Sequence, residues 1–149
     1  MKTAISWLII AFVIGVAPAA ALHAQDDAKP FAEAHVVLQL ADGDAETQSR
    51  VLNVANNLIK HYGGPDFIDI EIVTYGPGLS LLFPDNANAE RISSLLANDV
   101  RFVGCLNTVE SIERATGKRP QLIAATILVQ TGVARLIERA QQGFVVIRP

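Results

Sequence analysis

From residue 35 onward the chain alternates short apolar runs with longer amphipathic stretches, and turn residues mark each junction. This order constrains the fold more than any single motif. Strands buried on both faces read as near-continuous apolar runs. Parallel strands can be joined only by long crossovers, usually helices. The runs are "HVVLQL" at 35–40, "IDIEIVTY" at 68–75, residues 100–104, 126–129 and "FVVI" at 144–147. Between them, residues 45–62 place Val51, Leu52, Ala55, Leu58, Ile59 and Tyr62 on one helical face and end at Gly63-Gly64-Pro65. A second helix is expected from Asp85 or Asn86 to Ala97. A third has Asn107 and Glu110 at capping-box spacing and stops at Gly117. A last helix should face inward through Val133, Leu136, Ile137 and Ala140. The expectation is a single flavodoxin-like α/β domain with about five mostly parallel strands and helices on both faces. The first half of "IDIEIVTY" alternates, so one of its faces is expected to reach solvent or lie near a sheet edge.

The N-terminus has the layout of a secretory signal peptide. Lys2 precedes the uncharged run "ISWLIIAFVIGVA", then Pro18 and an alanine run. Cleavage is expected after Ala21 or Ala24, which makes 1–24 the signal, 25–34 a flexible leader and 35–149 the domain. The corresponding location is periplasmic or secreted, with no membrane attachment after cleavage. An uncleaved anchor is the alternative, because the apolar stretch approaches the ~20 residues of a membrane span. The net charge of −3 and the lack of a basic face argue against a nucleic-acid partner.

A single cysteine, Cys105, rules out a disulfide framework within the chain. It ends the third strand beside Gly104 and just before a helix. Ligands of open α/β sheets bind at the carboxyl ends of the strands. The helix dipole there favours a thiolate. Cys105 is therefore the candidate nucleophile. Its bland alternative is a small buried hydrophobe. Asp42 and Gly43 close the first strand on the same edge, and Gly76 and Gly78 close the second. Together with Gly104 and Asn107 they are the candidate substrate-binding residues. For Asp42 and Asn107, turn and cap roles are the simpler reading. No histidine pair has metal-ligand spacing, and Gly76-Pro77-Gly78 lacks the lysine and spacing of a phosphate loop. No metal or organic cofactor is expected.

The segments "HVVLQLADGD" (35–44), "VLNVANNLIKHYG" (51–63), "YGPGLSLLF" (75–83), "DNANAERI" (85–92), "VRFVGCLNT" (100–108) and "GFVVIRP" (143–149), in this order, resemble the DsrE/DsrF-like family. That sulfur-relay fold includes the Tus sulfurtransferase subunits. The resemblance implies a flavodoxin-like domain, assembly as a homo-oligomer (trimer or hexamer), and a persulfide carried on the cysteine matching Cys105. It also implies a sulfur donor or acceptor protein as partner. A sulfurtransferase or sulfur carrier is thus one expectation. A non-catalytic oligomeric binding or assembly module is the other.

Overall fold

The computed structural model describes residues 29–149. The expected signal, 1–24, lies outside these residues. Five strands form one all-parallel sheet: β1 (Ala34–Leu40), β2 (Ile68–Thr74), β3 (Arg101–Cys105), β4 (Ile127–Val129) and β5 (Val145–Ile147). Their order is β4-β3-β2-β1-β5. The helices are α1 (Ala45–His61), α2 (Ala89–Leu96), α3 (Leu106–Thr116) and α4 (Gly132–Gln141). Among the described residues no helix is long and apolar enough to cross a membrane.

The strand order dictates the layering. Three steps from β1 to β4 move in one direction, so α1, α2 and α3 share one face of the sheet. The step from β4 to β5 returns across the whole sheet, so a right-handed crossover puts α4 on the other face. The first face holds the main core: Val36, Leu38, Leu40, Ile70, Ile72 and Phe102 from the sheet, packed on Val51, Leu52 and Ala55 of α1, Ile92 and Leu95 of α2, and Val109 of α3. The α4 face buries a much smaller cluster, Val37, Val73, Val103 and Leu136.

Most elements fall where the apolar runs place them, and the departures have local causes. β2 is no edge strand. It is central and buried along its whole length, including Asp69 and Glu71. Its alternating acids face α4 and are neutralised there by arginines instead of by water. The second helix begins at Ala89, later than expected, because Asn86 is engaged elsewhere. Its side chain accepts the Asn88 amide (2.9 Å) and donates to Gln48 Oε1 and the Ser80 carbonyl (2.9 Å each), a local alternative to helix. Gln48, which is not part of the apolar face read for α1, is buried and donates to the Gly43 carbonyl (3.1 Å) and Ser80 Oγ (2.9 Å). The α4 face is rotated from expectation. Gly132, Leu136 and Arg139 are buried, while Val133 and Ile137 are 48% and 56% exposed.

The end of the expected leader packs onto the domain. Lys29 Nζ donates to the Pro65 carbonyl (2.8 Å) and the Ile68 carbonyl (3.3 Å), and the Glu33 amide donates to the Phe67 carbonyl (2.8 Å). β1 itself begins at Ala34.

Candidate functional site

β3 runs into α3 without a loop. Cys105 is the last strand residue and also the N-cap of the helix, with φ −83° and ψ 117°. It therefore lies at the end of the helix where backbone amides have no intrahelical partner. The capping box expected at Asn107 and Glu110 does not form, because the helix has already started two residues earlier. Asn107 is instead tied to the loop after β4. Its amide donates to the Gln130 carbonyl (3.2 Å), its Nδ2 to Thr131 Oγ1 (3.1 Å), and its Oδ1 accepts from Gln130 Nε2 (2.7 Å).

That tie brings a second helix start to the thiol. Gly132, the first residue of α4, lies so close that a β-carbon there would meet the Cys105 Cβ at 3.4 Å and Tyr75 at 3.3 Å. The thiol is buried, with 5% of the residue exposed. As a thiol, Sγ donates weakly to the Gln130 carbonyl (3.7 Å). Burial pushes its pKa up. The amide of Gly132, the amide and hydroxyl of Thr108 and the amide of Asn107 outweigh that, and the net shift is downward. Two helix N-termini, α3 and α4, thus converge on one sulfur and favour its anion.

The other candidates separate into distinct roles. Gly76, with φ +53°, donates its amide to Thr108 Oγ1 (2.9 Å), so the loop after β2 touches the residue that touches the thiol. Gly104 sits directly before Cys105 on the main-core side, where a β-carbon would meet Thr126, Leu79 and Leu128 at 3.1–3.4 Å. Gly43 and Gly78 serve packing between loops. A β-carbon at Gly43 would lie 2.8 Å from the Pro77 carbonyl oxygen, and one at Gly78 would lie 2.4 Å from that of Leu40. Asp42 pairs with Arg148 (2.9 Å) at the ends of β1 and β5. Cys105, Gly76 and Asn107 are therefore linked around the sulfur, whereas Asp42, Gly43 and Gly78 support the neighbouring edge.

Sequence reasoning missed Thr108, Gln130 and Gly132. A start of α3 at Cys105 would have placed Thr108 at N3, the usual partner position of a cap. Gly132 carried no local signal, since its role depends on where α4 crosses the sheet. A groove of about 400 Å³ borders Thr108 and is lined also by Gly76, Pro77, Ser80, Phe83, Ser111 and Ile112. A groove of about 570 Å³ continues along α3 past Phe83 and Ile112 to Lys118 and Arg119. Neither is lined by Cys105. Among the described residues no group of three or more histidine, cysteine, aspartate or glutamate side chains could hold a metal.

Beneath α4 lies a charged cluster that the sequence reading did not foresee. Glu71, fully buried, accepts from Arg135 Nε (2.8 Å), Arg139 Nη2 (2.6 Å) and Arg101 Nε (3.3 Å). Arg101 Nη1 also pairs with Asp69 (2.7 Å), and His35 Nδ1 stands 3.5 Å from the same carboxylate. Burial pushes the Glu71 carboxyl up, but Arg135 and Arg139 more than compensate and hold it below its ordinary range. Arg139 also stacks over the Phe144 ring, 4.8 Å from its centroid.

No family model matches the chain, and no curated protein does. Its fold is similar to that of a solved protein of unknown function, MTH1491 from Methanobacterium thermoautotrophicum. The TM-score is 0.69 at 27% sequence identity, over 78% of this chain and 100% of that one.

Proposed function

We propose that this protein is an exported sulfur carrier of DsrE-like type, with Cys105 receiving sulfane sulfur as a persulfide. The observation that carries the reading is the place of Cys105 at the start of α3 and against the first residue of α4, where the Gly132, Thr108 and Asn107 amides favour its anion. Such a site favours the thiolate, which is the nucleophilic form. The resemblance of segments 35–44 and 100–108 to the sulfur-relay family points the same way. In the step, the Cys105 thiolate attacks the terminal sulfur of a donor R–S–SH. A new S–S bond forms to Cys105 as the donor's S–S bond breaks. R–S⁻ leaves with the electron pair, and the proton stays on the transferred sulfur. Loss of that proton to the released R–S⁻ gives the persulfide anion, beside the same amides that favour the thiolate. With 5% of the residue exposed, a small terminal sulfur fits this site better than a bulky protein disulfide.

The test is the intact mass of the reduced protein after brief exposure to polysulfide, with Cys105→Ser alongside. Wild type is expected to gain one or more sulfur atoms that a thiol removes, and the variant none. A folded wild type without an adduct would refute the proposal.

A second reading, a non-catalytic assembly module, is favoured by the apolar side chains exposed around α4: Ile127 (40%), Val133, Ile137 (56%) and Val146. The same residues suit a homo-oligomer in either case. Under this reading Cys105→Ser leaves both assembly and biological effect intact.

A further inference from the structure

We propose that buried Glu71 is a positioning residue for Cys105, anchoring the stripe of α4 whose first amide faces the thiol. Gly132, Arg135 or Leu136, and Arg139 recur at three- and four-residue spacing, so they lie on one side of the helix. Gly132 stands against Cys105, Leu136 packs in the small core, and Arg135 and Arg139 meet Glu71 at 2.6–3.1 Å. One helix thus touches the sulfur at its start and the carboxylate one and two turns later.

The sheet makes this coupling rigid. Glu71 is central in β2, and its register neighbour on β3 is Arg101. Two residues further along each strand come Val73 and Val103. Two further again come Tyr75, just past β2, and Cys105, so carboxylate and thiol lie on the same face, four strand positions apart. The apolar packing of α4 on that face is small, consisting of Leu136 with Val37, Val73 and Val103. Apolar contacts slide more readily than directional ones, whereas a carboxylate shared by guanidinium forks fixes the helix along and around its axis. The groups facing Glu71 are Arg101 from β3 and Arg135 and Arg139 from α4. Asp69 pairs with Arg101, His35 stands against Asp69, and Gln142 accepts from Arg139 Nη1 (2.7 Å).

The inference rests on Cys105 being the thiolate proposed above, but on no particular sulfur donor. Its test is the rate of Cys105 alkylation by iodoacetamide against pH, on the full chain. The arms are wild type, Glu71→Gln, Arg135→Gln and Leu136→Ala. Glu71→Gln is expected to slow alkylation at pH 7 about three- to tenfold, the scale of one helix terminus on a nearby charge, and to move the pH profile upward. At high pH, where all thiols are ionised, the rates should converge. Arg135→Gln, which leaves Arg139 on Glu71, should shift in the same direction by less. Unchanged profiles in folded Glu71→Gln or Arg135→Gln would overturn the proposal. An equal shift in Leu136→Ala would do so too, since general loosening of α4 would then suffice. Failure of both polar variants to fold would also count against it, because an anchor for one helix should leave the main core standing. Alkylation needs no sulfur donor, so this test can succeed where sulfur loading fails.

Discussion

Gly78→Ala is expected to lower stability by about 3 kcal/mol, the upper range for overpacking a well-filled site. The added β-carbon would lie 2.4 Å from the Leu40 carbonyl oxygen and 2.8 Å from its carbon. Those atoms cannot withdraw cheaply. Leu40 ends β1, which lies between β2 and β5 in the sheet, and its carbonyl accepts the Tyr75 amide (3.2 Å). Gly78 in turn donates its own amide to the Ala41 carbonyl (2.9 Å). Two strand ends are thus held backbone to backbone, and only a hydrogen side chain fits between them. Urea unfolding would show a lower midpoint with an unchanged slope. A wild-type midpoint would mean that Gly78 has some other purpose, such as ligand contact.

Phe102→Ala is expected to cost about 3–5 kcal/mol, the range for emptying a buried aromatic site. Phe102 is fully buried in the main core, on the face of β3 opposite Cys105's neighbour Val103. The prediction has a second half. In conditions where the variant stays folded, the pH profile of Cys105 alkylation should match wild type. The two faces of the sheet then divide the labour. The α1–α3 face supplies most of the stability, while α4 and the first turn of α3 position the thiol. A shifted profile in folded Phe102→Ala would show that the faces are coupled and that the division is wrong. Calorimetry and alkylation on one sample measure both halves.

The strand and helix order was readable because it depends on apolar periodicity, which the main core obeys. The strand ends and the stop of α3 at Gly117 (φ +72°) are local effects that sequence carries well. The place of Cys105 at the end of a strand and just before a helix was readable for the same reason. What could not be read depends on partners distant in the chain. Asp69 and Glu71 look like the wet side of an edge strand until Arg101, Arg135 and Arg139 are known to lie above them. Arg135 and Arg139 look like the solvated side of a helix until the crossover turns them inward, and that same turn leaves Val133 and Ile137 outside. Gly132 gains its role only because the chain after β4 passes the end of β3. The capping box at Asn107 failed for a subtler reason. Its residues suit a cap, but β3 continues straight into α3, and the Asn107 side chain found better partners in Gln130 and Thr131.

The most direct measurement is the ionisation of Cys105 in the folded wild-type protein, followed by thiolate absorbance at 240 nm against pH, with Cys105→Ser as the blank. A thiol facing the amides of two helix starts should titrate below the ~8.5 of an unperturbed cysteine. A midpoint at or above that value in folded protein would mean that burial outweighs the amides. Cys105 would then be packing, and the account of a poised nucleophile would be wrong.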